Sequence, residues 1–193
     1  MKTSKTGIWF MVFALPFFTG CGYNKMVNLE EKVKAQWAQV QNVYQRRADL
    51  IPNLVNTVKG AANFEKETLT QVIEARAKAT SVNVDASKLT PETFRQFQEA
   101  QDNLTGALSR LMVVVEKYPE LKANQNFLEL QAQLEGTENR ITVERQKYND
   151  AVMEYNAFIR GFIQRFWANM FGFQEKPYFQ SAPGAEKAPE VKF

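Results

Sequence analysis

The sequence predicts an all-α protein: long antiparallel helices forming a bundle or an intramolecular coiled coil, with the first long helix kinked near Pro52. Three observations carry this. Apolar residues recur at intervals of seven in three separate segments, the spacing that keeps one helix face against a partner. Proline and glycine are scarce, 7 and 9 of 193 residues, which argues against a turn-rich β sandwich. Hydrophobic residues make up 45% of the chain, enough for one domain with a real core and too many for a disordered chain.

The first segment runs from about Val27 to Thr80. Val33, Trp37, Val40, Tyr44, Ile51, Leu54 and Val58 recur at helical intervals, and Trp37, Tyr44, Ile51 and Val58 are each seven apart, so the stripe keeps its phase across Pro52. An interior proline removes one hydrogen bond and clashes with the preceding turn, hence the expected kink. Asp49 is an alternative cap for a new helix there, but the preserved phase favours one roughly continuous helix over a reversal. Leu69, Val72, Ile73 and Ala79 continue the stripe after the drift of a 3.6-residue period.

Ser81 to Leu89 reads as a polar loop. Thr90-Pro91-Glu92 is a helix start: a capping hydroxyl, proline at the first helical position and an early acid. The helix that follows carries Phe97, Leu104, Leu111 and Tyr118, each seven apart, and Pro119 ends it. From Asn126 to about Phe171, Leu134, Ile141, Tyr148, Tyr155 and Phe162 are again spaced by seven. Val152, Ile159 and Phe166 form a second row. One helix of about 45 residues, roughly 68 Å long, is expected there. The divisions expected are a signal peptide (1–20), a lipid-anchored linker (21–26), a helical domain (27–176) and a loosely ordered tail (177–193) that contains Pro183, Gly184 and Pro189.

The amino terminus has the grammar of a signal peptide. Lys2 and Lys5 give a positive start, and Gly7 to Phe18 is an apolar stretch of about twelve residues. It is shorter than the roughly 20 apolar residues a spanning helix needs, and Pro16 interrupts it. Thr19-Gly20 then precede Cys21, which resembles the bacterial lipobox, with Phe18 where that pattern commonly has Leu. Acyl chains on Cys21 would anchor the chain by burying CH₂ groups, about 0.8 kcal/mol each. The alternative is an uncleaved amino-terminal membrane helix with an incidental cysteine.

The composition excludes several kinds of chemistry. There is no histidine, so His-based general bases, Ser-His-Asp triads and His metal sites are ruled out. The single cysteine cannot form an internal disulfide. No Ser, Thr or Lys stands in a motif that would activate a nucleophile. The formal charge of +3 includes Lys2 and Lys5, which are expected to be removed, and no basic block interleaved with aromatics suggests nucleic acid. No catalytic residues, cofactor or metal are expected.

Several stretches resemble the LemA family. Gly22-Tyr23-Asn24 with Val27, Glu30 and Val33 looks like its membrane-proximal start. The run from Tyr44 through Arg46, Arg47, Asp49 and Pro52 to Val55 is long and specific. Glu74-Ala-Arg-Ala-Lys78, Tyr118 to Asn124, Gly136 to Ile141, Tyr148-Asn149-Asp150, Tyr155-Asn156, Phe171-Gly172-Phe173, Tyr178-Phe179 and Pro189 to Phe193 continue the match. The resemblance covers essentially residues 22–193. It implies a membrane-anchored, mostly helical bacterial protein with its domain outside the cytoplasm, and no settled activity. Relatives often begin with a spanning helix; the short segment ending in Cys21 departs from that. Phe158 to Asn169 also lacks the proline expected after Tyr155-Asn156, so the last helix is expected to run further than in relatives.

The functional expectation is a non-catalytic helical scaffold or interaction protein of the cell envelope, with an envelope protein as partner and the membrane reached through Cys21. The candidate polar contacts are Arg46, Arg47, Asp49, Asn53, Arg76, Arg110, Asn139, Arg140 and Arg145, with Glu138 beside them. Where such groups meet between helices they form charge-assisted networks that fix register. Left unpaired in a groove, they would instead make a binding module for an anionic small molecule or peptide on an Arg-rich face. Trp37, Tyr44, Tyr148, Tyr155 and Phe162 are expected in the core. The denser group Phe162, Phe166, Trp167, Phe171 and Phe173 is expected either to pack on the first helix or to touch the membrane interface.

Overall fold

A computed structural model describes residues 6–61 and 64–180, with side chains from Gly22 onward except that of Ser87. Every regular element among them is helical: α1 (Thr6–Lys59), α2 (Lys66–Ser81), a short 3₁₀ turn (Ala86–Lys88), α3 (Pro91–Val115), α4 (Pro119–Lys122), α5 (Gln125–Ile159) and α6 (Phe162–Phe171). Among the described residues no helix is long and apolar enough to cross a membrane. The side chain of Cys21 and the tail from residue 181 lie outside the described residues.

The seven-residue stripes are the core. On α1, Val33, Trp37, Val40, Tyr44, Ile51, Leu54 and Val58 are all buried. Leu104 and Leu111 of α3 and Ile141, Tyr148 and Tyr155 of α5 are buried with them. Each such side chain contributes about 1.5–3 kcal/mol through removal from water. Cross-links between α1 and α5 step in opposite directions along the two helices: Lys32 meets Glu154, Gln36 meets Glu144 and Arg47 meets Glu138. Helix α3 starts as its sequence dictates. Thr90 accepts from the Thr93 N–H, the Thr93 hydroxyl accepts from the Thr90 N–H, and Pro91 fills the first position.

Four boundaries differ from the sequence expectation. The first helical segment does not run on to Thr80. Helix α1 stops at Lys59, and α2 is a separate helix that returns along it, so that Arg76 reaches Ala48 and Val84 reaches Trp37. Gly60 marks the end, where its N–H bonds back to Thr57 in a tightened last turn. Residues 69–79 keep a helical stripe because they pack as a helix, not because they continue α1, and Ile73 is exposed.

The long last helix also divides. Helix α5 ends at Ile159, and Gly161 turns out of the helix with ψ 148° to begin α6. An interior glycine costs about 1 kcal/mol against alanine, while glycine is accepted at a helix start. Phe162 and Phe166, expected in the seam, are therefore 97% and 65% exposed. The expected linker at 21–26 lies within α1, with Met26 fully buried.

The fourth difference is at the carboxyl end. The expectation of loose order from Pro177 does not describe Pro177 to Gln180. Gly172 adopts φ +79°, a left-handed cap that suits glycine, and turns the chain back. Residues 174–180 then lie extended along α5 as a strap, with Phe179 buried.

Candidate functional site

Two polar constructions stand out, and the first is a layer through the middle of the bundle. On three helices a polar residue interrupts the apolar stripe at the same level. Arg47 lies between Tyr44 and Ile51, Gln101 between Phe97 and Leu104, and Glu138 between Leu134 and Ile141. Arg47 is 2% exposed. Its Nη1 donates to Thr105 Oγ1 at 2.8 Å and to Glu138 Oε2 at 3.0 Å. Its Nη2 donates to the Gln101 side chain at 2.8 Å and to the Gln101 carbonyl at 3.2 Å. Gln101 in turn donates to the Ala79 carbonyl of α2. The layer thus ties four helices together.

The layer leaves one buried donor over. Arg47 Nε has no partner, although a guanidinium offers five N–H donors. A cavity of about 180 Å³ lies beside the layer between α3 and α5, lined by Leu108, Met112, Leu134 and Glu135 as well as by Arg47, Thr105 and Glu138. A wider cleft of about 300 Å³ on the α1–α2 side is lined by the amides Gln41, Gln45, Asn83 and Gln101. Burial pushes the Tyr44 hydroxyl and the Asp102 carboxyl up from their ordinary values, against the pull of Arg145 and Arg47.

Arg76 has a different task. Pro52 has no N–H, so the Ala48 carbonyl one turn earlier loses its helical donor. Arg76 Nε, from α2, donates to that carbonyl at 2.8 Å. The proline and the arginine, 24 positions apart, form one unit in which a side chain replaces a backbone donor.

The second construction is the strap. Asn156 donates to the Lys176 carbonyl and accepts from the Lys176 N–H, both at 2.9 Å. One heptad earlier, Asn149 does the same to Phe179, at 3.1 and 2.9 Å. Each asparagine amide pairs with the extended backbone as a neighbouring strand would. The adjacent tyrosines add their hydroxyls: Tyr155 donates to the Gln174 carbonyl and Tyr148 to the Pro177 carbonyl. Gln98 and Arg145 both donate to the Gln180 carbonyl at 3.0 Å. The Phe179 ring meets Phe94 at 4.6 Å, Tyr148 at 5.4 Å and Trp37 at 6.1 Å, under the Arg145 guanidinium. Lys176, nearly buried, pairs with Glu30 at 2.9 Å. The hydroxyls of Tyr148 and Tyr155 are held well above their ordinary titration range by burial.

Of the residues singled out from sequence, Arg47, Arg76 and Arg145 make contacts between elements. Arg46, Asp49, Asn53, Arg110, Asn139 and Arg140 are exposed, and Asp49 only accepts a local bond from Gln45. Sequence reasoning missed Gln101, Thr105 and the asparagine pairs. The signal for the asparagines was present: within α5 Tyr-Asn recurs at 148–149 and 155–156, one heptad apart. Among the described residues no group of acidic or cysteine side chains could hold a metal ion. Glu138, named beside the candidate polar contacts, is paired with Arg47.

The fold and its polar layer define an all-α bundle built around interhelical pairing. The chain belongs to the LemA family, whose model matches residues 36–193. It is similar to the magnetosome protein MamQ 2 of Paramagnetospirillum magneticum, 26% identical over 185 residues, covering 85% of this chain and 66% of that protein. Magnetosome protein MamQ of Magnetospirillum gryphiswaldense is 24% identical over the same shares. Protein LemA of Metamycoplasma hominis is 25% identical over 146 residues, covering 76% of this chain and 61% of that protein. The chain therefore spans less than two thirds of the length of these relatives.

Proposed function

We propose that this protein is a non-catalytic helical scaffold of the bacterial cell envelope, anchored to the membrane through lipid on Cys21, its domain outside the cytoplasm and engaged with an envelope protein. The observation that carries the reading is how the convergent polar side chains are used. Arg47, Gln101, Glu138, Arg76, Asn149, Asn156 and Arg145 are all bonded to other parts of the same chain. They hold helices and strap in register, and none is paired as nucleophile and base. The apolar stretch that ends in Thr19-Gly20-Cys21 supports the anchor, as does membership of the LemA family.

The alternative is a binding module for an anionic ligand on an Arg-rich face of Arg46, Arg47 and Arg76. It draws less support, because the three side chains diverge: Arg46 is exposed, Arg47 turns into the core and Arg76 is spent on the Ala48 carbonyl.

Mass spectrometry of the mature amino terminus tests the anchor. A diacylated Cys21, lost in Cys21→Ala, is expected, and an unmodified Met1 refutes it. Crosslinking in intact membranes tests the scaffold role. A reproducible envelope protein should be captured, and its absence under several chemistries counts against the role.

A further inference from the structure

Helix α6 presents an apolar face that no part of the described chain covers. Phe162 is 97% exposed, Ile163 65%, Phe166 65%, Met170 56% and Phe171 49%. At the helical repeat, Phe162, Ile163, Phe166 and Met170 share one arc about 100° wide. Ala168, on the other side, is buried in the bundle. Elsewhere among the described residues the exposed large apolar side chains, such as Val113, Val143 and Met153, lie ten or more positions apart along the chain. Scattered apolar residues are ordinary on a soluble surface, whereas a contiguous face this dense marks a contact.

We propose that this face of α6 lies in the lipid interface, giving the bundle a second membrane contact beside its amino-terminal anchor. The inference rests on the reading of the amino terminus as membrane-attached. Its place in the fold supplies the link. The Tyr23 ring packs edge-on against Phe171 at 5.0 Å and Phe173 at 5.9 Å. Tyr23 follows the last apolar residue of the amino-terminal stretch, Phe18, by five positions, about 7.5 Å along a helix. The exposed face therefore sits at the level where the chain would enter the bilayer.

The surrounding charge fits an anionic headgroup layer. Lys25 is exposed and lies over the Phe158 ring at 4.7 Å. Arg165 is exposed on α6, and Arg160 is exposed just before it, 3.8 Å from Glu175. Aromatic side chains flanked by cations favour the boundary between headgroups and acyl chains. A helix in that position, with a polar edge at Arg165 and Asn169, lies along the surface rather than across it. Anchor and helix together would hold the bundle in one orientation, since two contacts restrict tilt where one allows it.

The test is a map of lipid contacts on the full chain in vesicles of phosphatidylethanolamine and phosphatidylglycerol that carry a diazirine-tagged phosphatidylcholine. After photolysis, crosslinked lipid is expected on the amino-terminal peptide and on residues 162–171, and not at Val113 of α3. The triple variant Phe162→Ser, Ile163→Ser, Phe166→Ser should lose at least tenfold of the α6 crosslinks. It should keep those at the amino terminus and melt at the same temperature, because the replaced side chains are exposed. Lipid on the amino terminus alone overturns the proposal and leaves the anchor standing. Lipid on neither segment overturns both. Crosslinks from α6 to a second copy of the chain in place of lipid also overturn it, and make the face a protein interface.

Discussion

The two halves of the core are built from different materials on either side of Arg47. Toward the amino-terminal end of α1, Trp37, Tyr44, Phe94, Phe97, Tyr148, Tyr155 and Phe179 form an aromatic cluster. Toward the other end, Ile51, Leu54, Val58, Val72, Leu104, Leu111 and Leu134 form a mainly aliphatic one. The aliphatic half is closed mainly by helices, α2 and α4, with Phe64 of the α1–α2 loop beside them. The aromatic half admits irregular backbone: Val84 from the α2–α3 loop and the whole strap. The difference lies in the polar tips. Indole and phenol groups bring donors into the core, and Trp37 Nε1 donates to the Val84 carbonyl at 2.9 Å, as Tyr148 and Tyr155 do to the strap. Buried carbonyls need such partners. Leucine and valine have none to offer, so helices with their own internal bonds must cover them.

The largest effect that would test this contrast is a cavity in each half. Trp37→Ala should cost about 3–5 kcal/mol and Leu104→Ala about 2–5 kcal/mol. Hydrogen exchange distinguishes them. The amides of Lys176 and Phe179 should lose protection in the Trp37 variant ahead of global unfolding and keep it in the Leu104 variant. Equal strap protection in both would break the comparison.

The next effect falls on the layer between the halves. Glu138→Ala removes the carboxylate paired with the buried Arg47 guanidinium; because Glu138 is itself 47% exposed, the cost should be about 2 kcal/mol, below that of breaking a fully buried pair. Arg47→Met, which removes the charge and keeps much of the volume, should cost less. Chemical denaturation of the two variants checks the order, and the reverse order would show that the guanidinium is already balanced by water in the adjoining cavity.

A smaller effect belongs to the aliphatic side of the layer. Arg76→Ala orphans the Ala48 carbonyl and should cost about 1–2 kcal/mol. Pro52→Ala restores a backbone N–H to that carbonyl. In the Pro52→Ala background the arginine substitution should cost much less, and strictly additive effects would deny that the two act together.

The smallest effect is seen only in alkali. Unfolded tyrosine ionises near pH 10, while burial keeps Tyr148 and Tyr155 protonated in the folded chain beyond that. The unfolded state then holds fewer protons, so stability falls as pH rises past about 10. Tyr148→Phe should flatten that fall relative to the parent chain. An unchanged slope would place the phenol in solvent.

Much of this architecture was legible as periodicity. The stripes through Trp37, Leu104 and Ile141 name the core because a buried helix face leaves a strict spacing in the chain. Arg47 was legible too, three residues from Tyr44 and four from Ile51, on the stripe where Arg46 is not. The reversal after Lys59 and the break at Gly161 were not. A stripe can fall in step across a turn by chance, as 58 and 69–79 do, and only the glycines distinguished the two cases. The strap was invisible to periodicity because its partners are side-chain amides. Asn149 and Asn156 read as polar helix surface until an extended segment lies against them. Gln101 and Thr105 were missed because neutral polar residues near a stripe carry no charge to attract notice.

The strap also sets an order of events during synthesis. Phe179 fills the space among Trp37, Phe94 and Tyr148, yet it leaves the ribosome after all of them. Among the described residues, the aliphatic half has its parts once α5 has begun, by Leu134. The aromatic half stays open until some forty-five residues later. The aromatic half therefore completes its core later than the aliphatic half, because the residue that closes it is delivered well after the others that line it.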